Sequence, residues 1–202
     1  MRNEIVTYAR SLFERGFVVG SAGNISVKLE DGSFLATPTG SSFGNLAEKD
    51  ISHFDQNGVL LDGKEPTKEI FLHLACYEVH PTIQAVVHLH STYSTLLSSL
   101  EGLDDGMPIK SFTPYFLMKI GGVGVLPYRK PGNRRLADDV REKRDYSTLL
   151  MANHGLIVCR VSLKEAVEAA EEFEETAKLW YLGQRLPIRY LNEEEIQELR
   201  SR

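Results

Sequence analysis

Three histidines have the residue type and spacing that metal chemistry needs. His88 and His90 are two positions apart in a short, β-branched apolar run. Residues two apart in a strand share a face, so both imidazoles would project to the same side. His154 lies in a break between the apolar runs 148–152 and 156–161, where a turn would expose its side chain at a sheet edge. Three histidine ligands that leave a fourth coordination position open are typical of a catalytic metal site. The alternative interpretation is that these are hydrogen-bonded surface histidines that bind no metal.

A glutamate at a predicted helix start is the candidate partner of these histidines. Glu69 follows Pro66 by three residues, in the first turn of a helix predicted from Thr67, its N-cap, to about Val79. A carboxylate at that position is favoured by the helix dipole alone, and its alternative role is general acid/base or fourth metal ligand. His73 is four residues further on the same helix face. We interpret His73 as a buried histidine oriented by a neighbour rather than as a ligand.

Three segments of small polar residues have the composition of an anion site. Residues 21–24 (SAGN) and 37–42 (TPTGSS) bring backbone N–H groups and hydroxyls close together, and the helix start at Thr67 adds N–H groups that lack a helical acceptor. Ordinary turn chemistry explains any one of them. Together with the histidines they favour a phosphorylated substrate, for which Lys68 would supply a point charge.

Composition narrows the class of protein. The 202 residues suggest one domain over 1–202, with 42% hydrophobic and 25% charged residues. A net charge of −5 argues against a nucleic-acid or anionic-membrane partner. No apolar run approaches the roughly 20 residues that cross a bilayer, and residues 1–16 read as an amphipathic helix rather than a signal peptide. Two cysteines outside any ligand spacing are typical of buried thiols, so we expect a cytoplasmic protein.

The order of the predicted elements indicates the fold class. Helices are expected at 3–15, 67–79, 91–100, 133–145 and from a capping box at 162–165 onward to Trp180, with an acidic helix at 193–200. Strands are expected at 24–29, 33–39, 51–55, 59–61, 85–90, 123–128, 148–152 and 156–161. This mixture, with hairpins early in the chain, predicts an α/β sandwich with a mixed or largely antiparallel sheet. The absence of GxGxxG and GxxxxGK[ST] argues against a doubly wound nucleotide fold.

Five motifs occur in the order found in one known family. They are Ala22-Gly23-Asn24-Ile25-Ser26, Thr37-Pro38-Thr39-Gly40, Pro66-Thr67-Lys68-Glu69, His88-Leu89-His90 and Asn153-His154-Gly155. Over nearly its whole length the chain resembles the class II aldolases of the fuculose-phosphate aldolase/adducin family. Segments 112–115, 127–128 with 131–132, 174–179 and 189–191 look most like the branch that decarboxylates 3-oxo-tetronate 4-phosphates.

The resemblance implies a fold, an assembly and a site. The fold would be a three-layer α/β/α sandwich around a mixed, largely antiparallel sheet, assembled as a homotetramer with sites at subunit interfaces. Zn²⁺ would be held by His88, His90 and His154, with Glu69 as the nearby ligand and acid/base. Mn²⁺ or Co²⁺ would also suit such a site. A phosphate site would use Asn24, Thr39, Gly40, Thr67 and Lys68. Tyr115 would reach a neighbouring subunit's site.

The expected reaction is loss of CO2 from a small phosphorylated sugar acid, leaving dihydroxyacetone phosphate. Lys119 is assigned to the departing carboxylate, and Tyr115 is the second choice as proton donor after Glu69. Three alternatives remain: a sugar-phosphate aldolase or epimerase of the same family, a non-catalytic interaction module of the adducin type, and a structural zinc site. The acidic helix at 193–200, where the aldolases have a closing tail, argues against transferring their substrate specificity directly.

Overall fold

One eight-stranded sheet organises the chain. The structure is a computed structural model and describes residues 1–201. The strands are β1 (Asn24–Lys28), β2 (Phe34–Ala36), β3 (Ser52–Phe54), β4 (Leu60–Asp62), β5 (Ala85–Leu89), β6 (Gly124–Leu126), β7 (Thr148–Met151) and β8 (Gly155–Arg160). They lie in the order β4-β3-β2-β1-β5-β8-β7-β6. Every neighbouring pair is antiparallel except β6 and β7, which are parallel. The mixed, largely antiparallel sheet predicted from the sequence is therefore confirmed.

Helices cover both faces of this sheet. They are α1 (Arg2–Glu14), α2 (Ile70–Val79), α3 (Thr92–Ser98), α4 (Pro114–Lys119), α5 (Arg135–Glu142), α6 (Leu163–Gly183) and α7 (Glu193–Arg200). Buried side chains of α1, α3, α4 and α6 form one apolar core, and those of α2 and α5 form a second. The two cores lie on opposite faces of the sheet, so the α/β/α sandwich is confirmed.

The central strand β5 shows how the sequence separates the two cores. Val87 and Leu89 belong to the core with α6, whereas Val86 belongs to the core with α2. Alternate side chains of a strand point to opposite faces, so His88 lies on the same side as Val86. His88 is completely buried there, which places one imidazole inside the molecule near the end of a central strand.

The structure corrects two details of the element prediction. Helix α2 begins at Ile70, and Thr67 is not its N-cap. The Thr67 hydroxyl instead accepts a hydrogen bond from the Glu69 N–H at 3.3 Å, and this local turn holds residues 67–69 outside the helix. Helix α4 was not predicted, because six residues are too few to show a helical period. The other predicted elements are present, most of them shorter at one or both ends.

Two further expectations concern the chain as a whole. No helix within residues 1–201 combines the length and the apolar character that crossing a membrane requires. Cys76 and Cys159 are buried free thiols, as predicted. That residues 1–202 form a single domain stays a prediction.

Candidate metal centre and substrate cavity

His88 is held in one tautomer by the neighbouring strand. Its Nδ1 lies 2.8 Å from the carbonyl oxygen of Leu156 on β8. A carbonyl only accepts hydrogen bonds, so Nδ1 carries the ring proton and Nε2 keeps its lone pair. Such a bond to the far ring nitrogen is the usual support of a metal-binding histidine.

The turn between β7 and β8 places His154 beside the end of β5. Asn153 has a φ of 57°, a left-handed conformation that asparagine tolerates better than most residues. The N–H groups of Asn153 and His154 donate to the backbone oxygen and the hydroxyl of Ser98, at 2.9 and 3.2 Å. A Cβ on Gly155 would lie 2.4 Å from the carbonyl oxygen of Leu89, so only glycine allows the two strands to approach this closely. The fold therefore brings together His90 and His154, which are 64 residues apart in sequence.

The three predicted histidines form one cluster. A ring nitrogen from each of His88, His90 and His154 lies within 4.8 Å of the other two, and the two Nε2 atoms of His88 and His90 are 2.9 Å apart. Burial lowers the pKa of His88 and of His90 to about 3, and it also lowers the pKa of His154. The imidazoles are therefore neutral near pH 7, which is the form that binds metal ions.

Glu69 completes the cluster from the residues just before α2. Its Oε2 lies 3.4 Å from His88 Nε2, and its Oε1 lies 3.8 Å from His154 Nε2. Oε2 also accepts a hydrogen bond from the Asn24 amide at 3.0 Å. Oε1 and His154 Nδ1 are buried and have no hydrogen-bond partner among residues 1–201. Leaving the buried carboxylate oxygen Oε1 unpaired is costly, and a cation bound beside it would offset that cost. The donor set fits a divalent metal ion.

A cavity of about 830 Å³ opens above this cluster. Most of the site residues predicted from the sequence line it, namely Asn24, Thr39, Gly40, Thr67, Lys68, Glu69, His90 and His154. His88 is completely buried and is not part of the lining. The three polar segments predicted to hold an anion therefore meet at one cavity, next to the histidines.

Two predicted residues do not reach this cavity. Tyr115 is 59% exposed on α4 and is not in the lining. Lys119, at the end of α4, lies with its Nζ 3.3 Å from Glu168 Oε2, an ion pair on the surface of α6. Lys119 therefore does not line the cavity of its own chain, and its assignment to the substrate carboxylate stays a prediction.

The cavity contains a cation that the sequence analysis missed. Arg129 lies in the lining, and its Nε and Nη2 each donate to a carboxylate oxygen of Asp139 at 2.8 Å. These bonds raise the pKa of Arg129. Its Nη1 makes no hydrogen bond within the described residues, so the Nη1/Nη2 edge remains available as a second pair of donors. Its position between Pro127-Tyr128 and Pro131-Gly132, two pairs that carried part of the family resemblance, was the only signal for it.

Comparison with known proteins identifies the family. Residues 3–181 match the model of the class II aldolase and adducin N-terminal domain. The chain belongs to this family. A 3-oxo-tetronate 4-phosphate decarboxylase of Escherichia coli (strain K12) is 50% identical over 202 residues, covering 100% of this chain and 95% of that protein. An L-fuculose phosphate aldolase of Methanocaldococcus jannaschii is 37% identical over 182 residues, covering 90% of this chain and 96% of that protein.

A solved structure supports the same conclusion. The crystal structure of YgbL from Escherichia coli superposes with a TM-score of 0.96 at 49% identity, covering 98% of this chain and 97% of that one. The predicted resemblance to class II aldolases is thus confirmed.

Proposed function

We propose that this class II aldolase family member is a metal-dependent carboxy-lyase that converts a 3-oxo-tetronate 4-phosphate to dihydroxyacetone phosphate and CO2. One observation carries the proposal: the cavity beside the histidine cluster is lined by two cationic side chains, Lys68 and Arg129. The substrate has two anionic groups, a phosphate on carbon 4 and a carboxylate at carbon 1. The 50% identity to an enzyme of this name supports the same substrate class.

The reaction follows from the substrate's structure. The bond between carbons 1 and 2 breaks, CO2 leaves, and its electron pair is delocalised onto the carbon-3 ketone oxygen. Protonation of carbon 2 then turns its CHOH group into CH2OH, which gives dihydroxyacetone phosphate. The chain must therefore stabilise negative charge at the ketone oxygen and deliver one proton to carbon 2.

The metal proposed for the cluster is Zn²⁺, because three neutral imidazoles and a carboxylate suit it, with Mn²⁺ or Co²⁺ as substitutes. Its proposed ligands are His88, His90 and His154, with Glu69 adjacent. When bound, it supplies a Lewis acid that stabilises the charge developing on the substrate's oxygens.

The chain's own groups have separate tasks in this proposal. Lys68 and the polar segments around Thr39 and Thr67 bind the phosphate. The free edge of Arg129 holds the carboxylate end, in the role first assigned to Lys119. Glu69 Oε1, which has no protein partner, takes a proton from solvent and delivers it to carbon 2.

The assembly and setting of the enzyme are part of the proposal. The family resemblance supports a homotetramer in which the exposed Tyr115 enters the cavity of a neighbouring subunit. It also supports a role in the breakdown of acid sugars. The buried free thiols Cys76 and Cys159 fit a reducing cytoplasm.

The competing function is aldol cleavage of a sugar phosphate, favoured by the 37% identity to an L-fuculose phosphate aldolase. Both reactions leave the same charge on the ketone oxygen, so the metal cluster alone does not distinguish them. The test compares 3-oxo-tetronate 4-phosphate with L-fuculose 1-phosphate as substrates of the metal-loaded chain. We expect kcat/KM for the sugar acid to be at least 100-fold higher, and a preference for fuculose 1-phosphate would establish the aldolase instead.

A further inference from the structure

Five buried polar side chains form a continuous hydrogen-bonded chain that ends at Glu69. The Tyr77 hydroxyl lies 2.9 Å from Ser26 Oγ, which lies 2.7 Å from His73 Nδ1. His73 Nε2 lies 2.5 Å from Asn24 Oδ1, and Asn24 Nδ2 lies 3.0 Å from Glu69 Oε2. Relative exposure is at most 8% for each of the five residues. Such a buried network is stable only when each member has a compatible partner.

The direction of every bond in this chain follows from its last acceptor. An ionised carboxylate only accepts, so Asn24 donates through Nδ2 and turns its Oδ1 toward His73. His73 Nε2 must then carry the ring proton. His73 is completely buried, where the neutral ring with a single proton is favoured, so Nδ1 accepts from the hydroxyl of Ser26. Each donor therefore points along the chain toward Glu69.

Only the last two members of this hydrogen-bonded chain line the cavity. Asn24 and Glu69 line the cavity, whereas His73 is completely buried behind them and has no contact with it. The hydrogen-bonded chain ends on Glu69 Oε2 and leaves Oε1 without a protein partner. The two carboxylate oxygens therefore differ: Oε2 is hydrogen-bonded to Asn24, and Oε1 has no protein partner.

We propose that His73 is a positioning residue that selects Oε1 of Glu69 as the working oxygen by fixing the orientation of the Asn24 amide. Without a donor at the Nε2 position, the Asn24 side chain is free to rotate. Its oxygen would then face Glu69 Oε2, and the carboxylate would lose its anchor. The inference rests on the proposed function, because it concerns the acid/base group of that reaction.

Two substitutions separate positioning from simple packing. His73→Gln keeps an N–H near the Nε2 position, whereas His73→Phe fills the space without any donor. We expect His73→Phe to lower kcat 10- to 100-fold, with KM within threefold and metal content unchanged, because the carboxylate loses its alignment and not its binding partners. His73→Gln should retain kcat within fivefold of the unaltered chain. His80→Gln, which alters a histidine at the end of the same helix, serves as the matched control.

Several results would overturn the inference. They are equal kcat values for His73→Phe and the unaltered chain, equal losses in the Phe and Gln variants, a change in KM alone, or loss of the metal in His73→Phe. If the unaltered chain has no activity on the sugar acid, the proposed function fails, and a second measurement still tests the positioning role. Nitrogen NMR of the folded, metal-loaded chain should show His73 protonated at Nε2 with Nδ1 as acceptor. A proton on Nδ1 instead would reverse the direction of these hydrogen bonds and exclude the positioning role of His73.

Discussion

At the scale of single residues, the site depends on side chains whose far atoms are already committed. His88 uses Nδ1 on the Leu156 carbonyl, Glu69 uses Oε2 on Asn24, and Arg129 uses Nε and Nη2 on Asp139. In each case one edge is held by the protein and the other remains for a ligand. Pre-oriented groups of this kind lose little freedom on binding, which favours both affinity and catalysis.

Removal of one imidazole should abolish tight metal binding. We expect His154→Ala to fold but to contain less than a tenth of the metal of the unaltered chain, because two histidines and one carboxylate leave the ion mostly hydrated. Metal content after purification, measured by atomic spectroscopy, checks this. His53→Ala is the control, since His53 bonds to Ser33 away from the cluster. Full occupancy in His154→Ala would show that the cluster is not the metal site.

The two cavity cations should have separable effects. Arg129→Lys keeps a positive charge beside the buried Asp139 but loses the second pair of planar donors. The KM for the sugar acid should therefore rise about 10-fold, which corresponds to the lower end of the free energy of one charge-assisted hydrogen bond. Inhibition by dihydroxyacetone phosphate, which has no carboxylate, should be unchanged. Lys68→Met should weaken both the binding of the sugar acid and the inhibition by dihydroxyacetone phosphate, because both molecules carry the phosphate. Steady-state kinetics with product inhibition measures the two effects, and equal weakening by both variants would contradict the assignment of Arg129.

Residue types predict part of this site and not the rest. The histidines and Glu69 were candidates by type and spacing, and the family resemblance joined them into one site. Arg129 could not, since a single arginine in a loop has no spacing to mark it. Lys119 had no spacing to support its assignment either, and its pairing with Glu168, 49 residues away on α6, is not visible in the sequence.

At the scale of elements, helix α3 supports the turn that carries His154. Its C-terminal residue Ser98 holds the turn that carries His154, and the buried carboxylate of Glu174 on α6 holds its first turn. Glu174 accepts from the N–H groups of Tyr93 and Ser94 and from the Ser94 hydroxyl, at 2.7–2.8 Å. A negative side chain at a helix N-terminus is favoured by the exposed N–H groups.

Glu174 should therefore contribute measurably to stability. Glu174→Ala leaves three donors unpaired, two of them on backbone, and we expect a loss of about 2–4 kcal/mol in the free energy of unfolding. Urea denaturation measures it. The adjacent Glu175→Ala is the matched control, because Glu175 is exposed and, within residues 1–201, pairs only with Lys178, so its effect should stay within about 0.5 kcal/mol. Equal effects in the two variants would show that the cap is unimportant.

Periodicity predicts long elements well and short ones poorly. The stripe of apolar residues on α6 and the β-branched run of β5 are long enough to define a face. Helix α4 has six residues, and the start of α2 is decided by a hydroxyl–backbone bond at Thr67. Local hydrogen bonds of this kind compete with the helix and leave no periodic signal.

At the scale of the whole molecule, stability and metal binding are linked through buried neutral histidines. The pKa values of His73, His88 and His90 are about 3 in the folded chain, against about 6.5 for an unfolded histidine. Below pH 6.5 the unfolded chain therefore binds more protons than the folded one. The metal-free protein loses stability as pH falls from 6.5 toward 3.

We expect the free energy of unfolding of the metal-free chain to change little above pH 7.5. Between pH 6.5 and 5.5 it should fall by up to about 1.4 kcal/mol for each of these three histidines. Urea denaturation at pH 7.5, 6.5 and 5.5 measures how the free energy of unfolding changes with pH. His73→Gln should reduce that change by the contribution of one of the three histidines. Stability that is constant or rises toward pH 5.5 would contradict the buried, neutral state of the cluster.

The most direct test of the account is whether the chain decarboxylates the sugar acid at its histidine cluster. Metal-depleted and Zn²⁺-reloaded protein are each given 3-oxo-tetronate 4-phosphate, and both products are measured, dihydroxyacetone phosphate by coupled reduction with NADH and CO2 directly. The account predicts the two products in equal amounts from the reloaded protein, with at least a 100-fold loss of rate after metal removal. Product formation that is independent of the metal, or no CO2 from the fully loaded chain, would contradict it.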